Sequence, residues 1–257
     1  VKPAEPVEVV RRCGRGAMID AGGTRVLLLA GSPYEMGYQH GCLMKAQCRA
    51  IVRKTLNIVE VAENSKKSEY GPGSLVQAWN RTRKYIDRRY IEEMRGLADG
   101  AGIEFSKVSL ANVFPELFHC SGFALFGEAT ADGKLLHGRI LDYMTTAGLQ
   151  DHAVVVVAKP DGYNSFVNVG YAGFIGSVTG MNSEHVAIGE MGGGGEGKWD
   201  GMPMTFLMRK ALEQSDSLSE AVSIFEHTPR TCEYYYVVSD GKIPSGRGLV
   251  CTPERFE

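Results

Sequence analysis

The 257-residue chain contains no hydrophobic run long enough to cross a bilayer. Its longest, in VLLLAG and HAVVVVAKP, fall well short of the roughly 20 residues a spanning helix needs. It also lacks any block of like charge. With 23% charged residues and a net charge of −2, nothing points to nucleic acid or an anionic membrane as a partner. The six cysteines (Cys13, Cys42, Cys48, Cys120, Cys232, Cys251) include no C-x-x-C pair, which argues against a zinc ribbon or a dense disulfide scaffold. Cys42 and Cys48 lie six apart on an expected helix, on different faces, and are poor bridge partners. The histidines (His40, His119, His137, His152, His185, His227) show no H-E-x-x-H or comparable spacing, so neither a metal nor a cofactor is expected. The glycine-rich MGGGGEGKWDG, from Met191, lacks both the G-K-[ST] ending and the G-x-G-x-x-G spacing of phosphate loops. It reads as a turn near a pocket. Val1 is not an initiator methionine; a signal segment removed ahead of it would mean export, and the compartment stays open. The sequon Asn80-Arg81-Thr82 would matter only in a secreted chain.

What is present is a mixed pattern. The first half is mainly helical. After the apolar strand RVLLLAG, a helix from Tyr34 carries Met44, Cys48, Ile51, Thr55 and Ile58 along one face. It ends in the polar loop ENSKKSEYGPGS. A second helix places Ile86, Tyr90, Met94 and Leu97 on one face and stops near Gly100, and a third runs from Ser106 to Pro115. Past Cys120 come short β-rich segments: KLLHGRILDY, HAVVVVAKP, NSFVNVGYAG, GFIGSVTG and HVAIGEMG. Two helices follow, PMTFLMRKALEQ and one opened by the capping-box spacing Ser217 to Glu220. A hairpin of EYYYVVS and RGLVCTP closes the chain. Strands clustered between groups of helices predict an α+β layered architecture rather than a doubly wound parallel sheet.

Cys120 sits in NVFPELFHCSGFALFG, between large apolar residues and small ones. A lone cysteine in such a setting is ordinarily a small buried hydrophobe. Three features favour more. It stands where helices give way to strands, small residues follow it, and Arg139-Ile-Leu-Asp142 lies in an expected neighbouring strand. A cation beside a thiol favours thiolate, and a carboxylate can orient a donor. A surface ion pair is the plainer role for Arg139 and Asp142.

Four segments in order, GSPYEMGYQHG (31–41), EEMRGLADGAG (92–102), CSGFALFGEATADGKLLHGRILDY (120–143) and GYAGFIGSVTGMNSEHVAIGEMG (170–192), together resemble the acyl-coenzyme A:isopenicillin N acyltransferase family. These are autoproteolytic N-terminal-nucleophile hydrolases, related to choloylglycine hydrolases and acid ceramidase-like amidases. The resemblance implies a four-layer αββα sandwich forming one domain over 1–257. Its helical pro-segment would be 1–119 and its catalytic segment 120–257, with self-cleavage between His119 and Cys120. The freed α-amine, with an ordinary pKa of about 7.7–8.0, would serve as general base to the thiol. By the same resemblance Asp142 would position that amine, and Arg139 matches the arginine of choloylglycine hydrolases. The family's oxyanion asparagine does not carry over. Alignment through Asn182-Ser183 puts Met191 or Gly192 there, so a backbone N–H would stand in; a missing donor costs roughly 10²–10³ in rate.

The resulting expectation is a cysteine amidohydrolase or acyltransferase acting on a non-peptide C–N amide, or an acyl thioester, through a thioester at Cys120. Its substrate would be a small molecule, with no nucleic-acid partner. Tyr143, Phe174 and Trp199 are candidate acyl-pocket residues by aromatic content, core packing being their plainer role. The competing reading is a catalytically inactive relative that binds a ligand in the same fold. A third, a papain-like pair of Cys120 and His185, lacks that family's local signature. Family members usually continue well past CTPERFE, so either a short variant or further strands outside these residues are expected.

Overall fold

The computed structural model describes residues 8–64, 73–113, 119–142, 145, 148–192 and 198–257. Three amino-terminal strands, β1 (Glu8–Cys13), β2 (Gly16–Ala21) and β3 (Thr24–Gly31), form an antiparallel meander. The chain then crosses over before β6 (Ala153–Pro160) returns parallel to β3. From there β7 (Phe166–Tyr171), β8 (Thr179–Asn182), β9 (Val186–Gly192), β10 (Tyr234–Asp240) and β11 (Ser245–Cys251) continue antiparallel, in a nine-stranded sheet ordered β1-β2-β3-β6-β7-β8-β9-β10-β11.

The long crossover holds α1 (Pro33–Leu43), α2 (Lys45–Glu63), α3 (Ser74–Thr82), α4 (Arg88–Ala101), α5 (Phe105–Val113) and the hairpin β4 (His119–Gly127) and β5 (Gly133–Asp142). Two more helices, α6 (Met204–Gln214) and α7 (Leu218–His227), link β9 to β10. The single helix expected from Tyr34 is two, broken at Met44, whose backbone leaves helical geometry. The start of α1 was written in the sequence: Ser32 and Glu35 form a reciprocal capping box, with Pro33 in the first turn. At α7 the Ser217 hydroxyl accepts from the Glu220 amide, while the Glu220 carboxylate accepts from Asp216 N rather than closing the box. The strand expected over GFIGSVTG is a loop as far as Val178, and only Thr179 onward pairs.

Strand alternation divides the sheet into two faces. One carries Leu27, Leu29, Val156, Ala158, Phe166, Ile188, Tyr236, Val238 and Leu249, all buried, and the helices cover it. Phe225 of α7 meets Tyr236 at 4.4 Å between ring centres. The family-like segments EMGYQHG and EEMRGLADG now have a physical reason. They place Gly37 and Gly41 of α1 against Gly96 and Gly100 of α4, at backbone contact. A Cβ on Gly37 would lie 1.9 Å from Glu93 O, and one on Gly96 would lie 2.0 Å from Tyr34 O. On the opposite sheet face sits the β4–β5 hairpin, against β9, β10 and β11. Successive layers among the described residues are thus helices, the large sheet and the hairpin, an α+β arrangement.

Candidate active site

Local chemistry dictates the hairpin. The five-residue loop 128–132, whose last turn closes at Asp132-Gly133, reverses the chain between Gly127 at φ 59° and Gly133 at φ 71°, and register pairs Cys120 with Leu141, Gly122 with Arg139 and Ala124 with His137. Those six residues face the sheet, while Phe123, Leu125, Leu136 and Ile140 point outward and are exposed. Glycine makes the close approach possible: a Cβ on Gly122 would meet Met191 Sδ at 2.7 Å.

Three side chains meet under the hairpin. Arg139 Nη2 donates to Cys120 Sγ at 2.7 Å and to Glu190 Oε2 at 2.7 Å, and Nε donates to Glu190 O at 3.1 Å. Cys120 Sγ in turn lies 3.6 Å from Glu190 Oε2. The charged pair is almost fully enclosed, with Arg139 2% and Glu190 3% exposed. An enclosed pair of this kind tolerates loss of neither partner. Burial, and after it the Glu190 carboxylate, push the Cys120 thiol up to about 12, against Arg139 and the Asp142 backbone amide, which favour thiolate. Glu190 therefore absorbs the charge that Arg139 would otherwise lend to sulfur, and the thiol stays protonated at neutral pH.

The remaining expected residues are distributed as follows. Asp142 pairs with His119 in the ladder, so its carboxylate projects from the outer face while its amide approaches Cys120 Sγ. That carboxylate is exposed and has no hydrogen-bond or ion-pair partner among the described residues. His119 is fixed here only as a strand position, and the 119–120 bond lies within β4. Met191 and Gly192 end β9, opposite Tyr235 and Tyr234, with the Met191 thioether against Gly122. His185 stands at the other end of β9 from Glu190, about 16 Å away at strand rise. A papain-like pair with Cys120 does not form. Tyr143 and the glycines at 193–195 lie outside the described residues. Trp199 packs against the main core.

A small cavity of about 20 Å³ is lined by Asn112, Gly170, Tyr171, Phe174, Gly176, Val178 and Thr205. Val178 joins it to the thiol site: its carbonyl accepts from Glu190 N at 3.2 Å, and the Glu190 carboxylate is the one beside Cys120 Sγ. Burial holds the Tyr171 hydroxyl above its ordinary value. The Phe174 ring stands edge-on to Tyr171, at 6.4 Å. His137, two residues from Arg139, shares a 2.7 Å hydrogen bond with Ser239 Oγ, and burial lowers its pKa. Among the described residues no cluster of His, Cys, Asp and Glu could hold a metal.

Sequence reasoning missed Glu190 and Tyr171. The signal for Glu190 was there. It is the one carboxylate inside the apolar strand VAIGEMG, where an acid needs a cationic partner. Nothing in the sequence marked Tyr171.

The chain is similar to several known proteins. A family model for acyl-coenzyme A:6-aminopenicillanic acid acyl-transferase matches residues 129–242, a span holding Arg139, Asp142 and Glu190 but not Cys120. Protein dcd1A of Dictyostelium discoideum is 31% identical over 82% of this chain and 54% of its own length. Acid ceramidase of Rattus norvegicus is 31% identical over 65% of this chain and 48% of its own. The N-acylethanolamine-hydrolyzing acid amidase of Rattus norvegicus is 25% identical over 71% and 51%. The chain spans about half the length of the curated relatives it matches. No helix among the described residues is long and apolar enough to cross a membrane. The chain thus carries the acyl-coenzyme A:6-aminopenicillanic acid acyl-transferase pattern over 129–242 and is similar to amidases over a longer stretch than that.

Proposed function

We propose that this protein is a self-cleaving cysteine amidohydrolase or acyltransferase acting on a non-peptide C–N amide through a thioester at Cys120. The observation that carries this reading is the enclosure of Cys120 Sγ between Arg139 and Glu190, at the start of a strand lying on the sheet. In the intact chain the thiol is quiet, held near 12. Self-cleavage begins when sulfur attacks the His119 carbonyl carbon. The new S–C bond replaces the His119–Cys120 amide bond, and the thiol proton passes to the departing nitrogen. Water then hydrolyses the thioester, leaving a His119 carboxylate, a free thiol and the Cys120 α-amine. With an ordinary pKa of about 7.7–8.0, that amine accepts the thiol proton in each later turnover and returns it to the leaving amine of the substrate. Water or an acceptor amine completes the cycle.

In this reading Arg139 supplies positive charge at the reacting sulfur and carbonyl, and Glu190 holds Arg139 in place. A backbone N–H at Met191 or Gly192 is the candidate oxyanion donor. Asp142 reaches the new amine only once the 119–120 bond is cut and the Cys120 nitrogen is free to turn. The competing reading, a ligand-binding relative without turnover, draws on the outward placement of Asp142 in the uncut chain. Intact-mass analysis of the purified chain beside Cys120→Ala separates the two. The expected result is a wild-type protein split after His119 and a variant that stays whole. A wild-type chain that remains uncut, and forms no thioester with activated esters, rules out the enzyme.

A further inference from the structure

The loop 172–178, between β7 and β8, is held from beneath by side chains of three helices. His40 of α1 accepts the Gly173 amide at its Nε2, 3.0 Å away. Asn112 of α5 donates to Gly173 O at 3.0 Å and accepts from Ile175 N at 2.9 Å. Arg209 of α6 donates to Ile175 O. Asn168 donates to Gly176 O at 3.0 Å, and Ser177 N donates to Thr205 O at 2.9 Å. His40, Asn112 and Arg209 are each at most 3% exposed. Because Nε2 accepts, His40 is neutral with its proton on Nδ1; burial, and after it Arg209, lower its pKa to about 4. Gly173 has φ 85°, and a Cβ there would reach Ile51 at 3.0 Å, so the backbone is seated against α2 as well.

The loop divides by side. Ala172, Gly173, Ile175 and Ser177 are buried, on the clamped side. Tyr171, Phe174, Gly176 and Val178 are only half-buried, and these four line the cavity beside Cys120. Moving the clamped peptides therefore moves the cavity wall. Buried polar groups that merely satisfy a loop are common in any core. Here, however, Asn112 is at once a clamp and part of the cavity lining.

We propose that His40 and Asn112 are positioning residues that set the shape of the cavity beside Cys120, and that this cavity receives the apolar end of a short acyl group. This rests on the thioester reading above. The walls contributed by Tyr171, Phe174 and Val178 suit an apolar end, and about 20 Å³ accommodates little more than one methyl-sized group. Long acyl chains are excluded unless the wall moves.

The test combines two readouts on the wild type, His40→Gln, His40→Leu and Phe174→Ala. The first is hydrogen exchange at the Gly173 amide without substrate. The second is acylation of Cys120 by p-nitrophenyl esters from acetate to dodecanoate, in which sulfur displaces p-nitrophenolate. His40→Gln keeps an acceptor and is expected to preserve both protection and chain-length preference. His40→Leu strands the Gly173 amide, and exchange there is expected to quicken by about tenfold or more. Its preference for acetate over dodecanoate should shrink, through KM rather than kcat. Phe174→Ala should shrink the same preference, by admitting longer chains, while leaving Gly173 protected, which keeps the test decisive if His40→Leu does not fold. Unchanged Gly173 exchange in a folded His40→Leu overturns the clamp. An unchanged length profile in Phe174→Ala, or a wild type that prefers dodecanoate, overturns the acyl-end assignment. Failure of every ester to acylate wild-type Cys120 instead removes the thioester reading, and the exchange data still judge the clamp.

Discussion

Replacing Glu190 by Gln should make Cys120 more reactive, although it removes a charged residue from the site. The carboxylate lies 3.6 Å from Sγ. At an effective dielectric of about 20, a unit charge at that distance acts with roughly 4 to 5 kcal/mol. The thiol is only half-buried, so solvent screening is taken to reduce this to about 2 kcal/mol. At 1.36 kcal/mol per unit, the Cys120 pKa falls by about 1.5, from the value near 12 that burial and Glu190 maintain. Arg139, no longer neutralised by its partner, acts in the same direction. At pH 8 the thiolate fraction rises about thirtyfold, while the lower basicity of sulfur weakens each thiolate, for a net gain of about six- to eightfold. The assay is exchange with 2-hydroxyethyl disulfide, followed by peptide mapping of the Cys120 fragment. Arg139→Gln should slow the same exchange. If a folded Glu190→Gln exchanges at the wild-type rate or slower, Glu190 does not control the thiol and the electrostatic account is wrong.

Two further outcomes follow from the packing. Gly96→Ala drives a methyl group into Tyr34 O at the α1–α4 crossing and should lower stability by about 3 kcal/mol, read as a shift in the urea midpoint with an unchanged slope. Gly23→Ala, where nothing lies within 4 Å, costs only its positive-φ strain, about 1 kcal/mol, and serves as the control. The second concerns pH. His40 is held near 4 in the folded chain, against about 6.5 unfolded. The folded state therefore binds fewer protons in that window, and stability falls as pH drops from about 6.5 to about 4, by up to roughly 3 kcal/mol. Urea midpoints across this range should show the loss in the wild type and a smaller one in His40→Gln. Parallel curves would place the titration elsewhere.

The sequence disclosed the site unevenly. Cys120 was visible because the texture changes from helices to strands there, and Arg139 because hairpin alternation from the Asp132-Gly133 turn carries it to the same side. The same alternation turns Asp142 outward in the uncut chain, which spacing of three residues in a strand already required. Glu190 was hidden among the apolar residues of its strand, 51 positions from Arg139. The amino-terminal hairpin of β1 and β2 and the short α3 went unread, since neither has a long apolar face. The expected strand over GFIGSVTG failed because helix side chains, rather than a neighbouring strand, satisfy its backbone.

By itself, the sequence determined the elements whose causes are local. The Ser32–Glu35 cap, the Asp132-Gly133 turn, the apolar faces of α2 and α4 and the strand beginning at Cys120 all follow from neighbouring residues. It also singled out Cys120 as the candidate nucleophile, because only Cys120 combines a thiol with small neighbours at a helix-to-strand junction. Tertiary structure alone decided the state of that thiol. Its charge depends on Arg139 and Glu190, which strand pairing and layer packing bring together from distant positions, and on burial that excludes the water that would otherwise screen them.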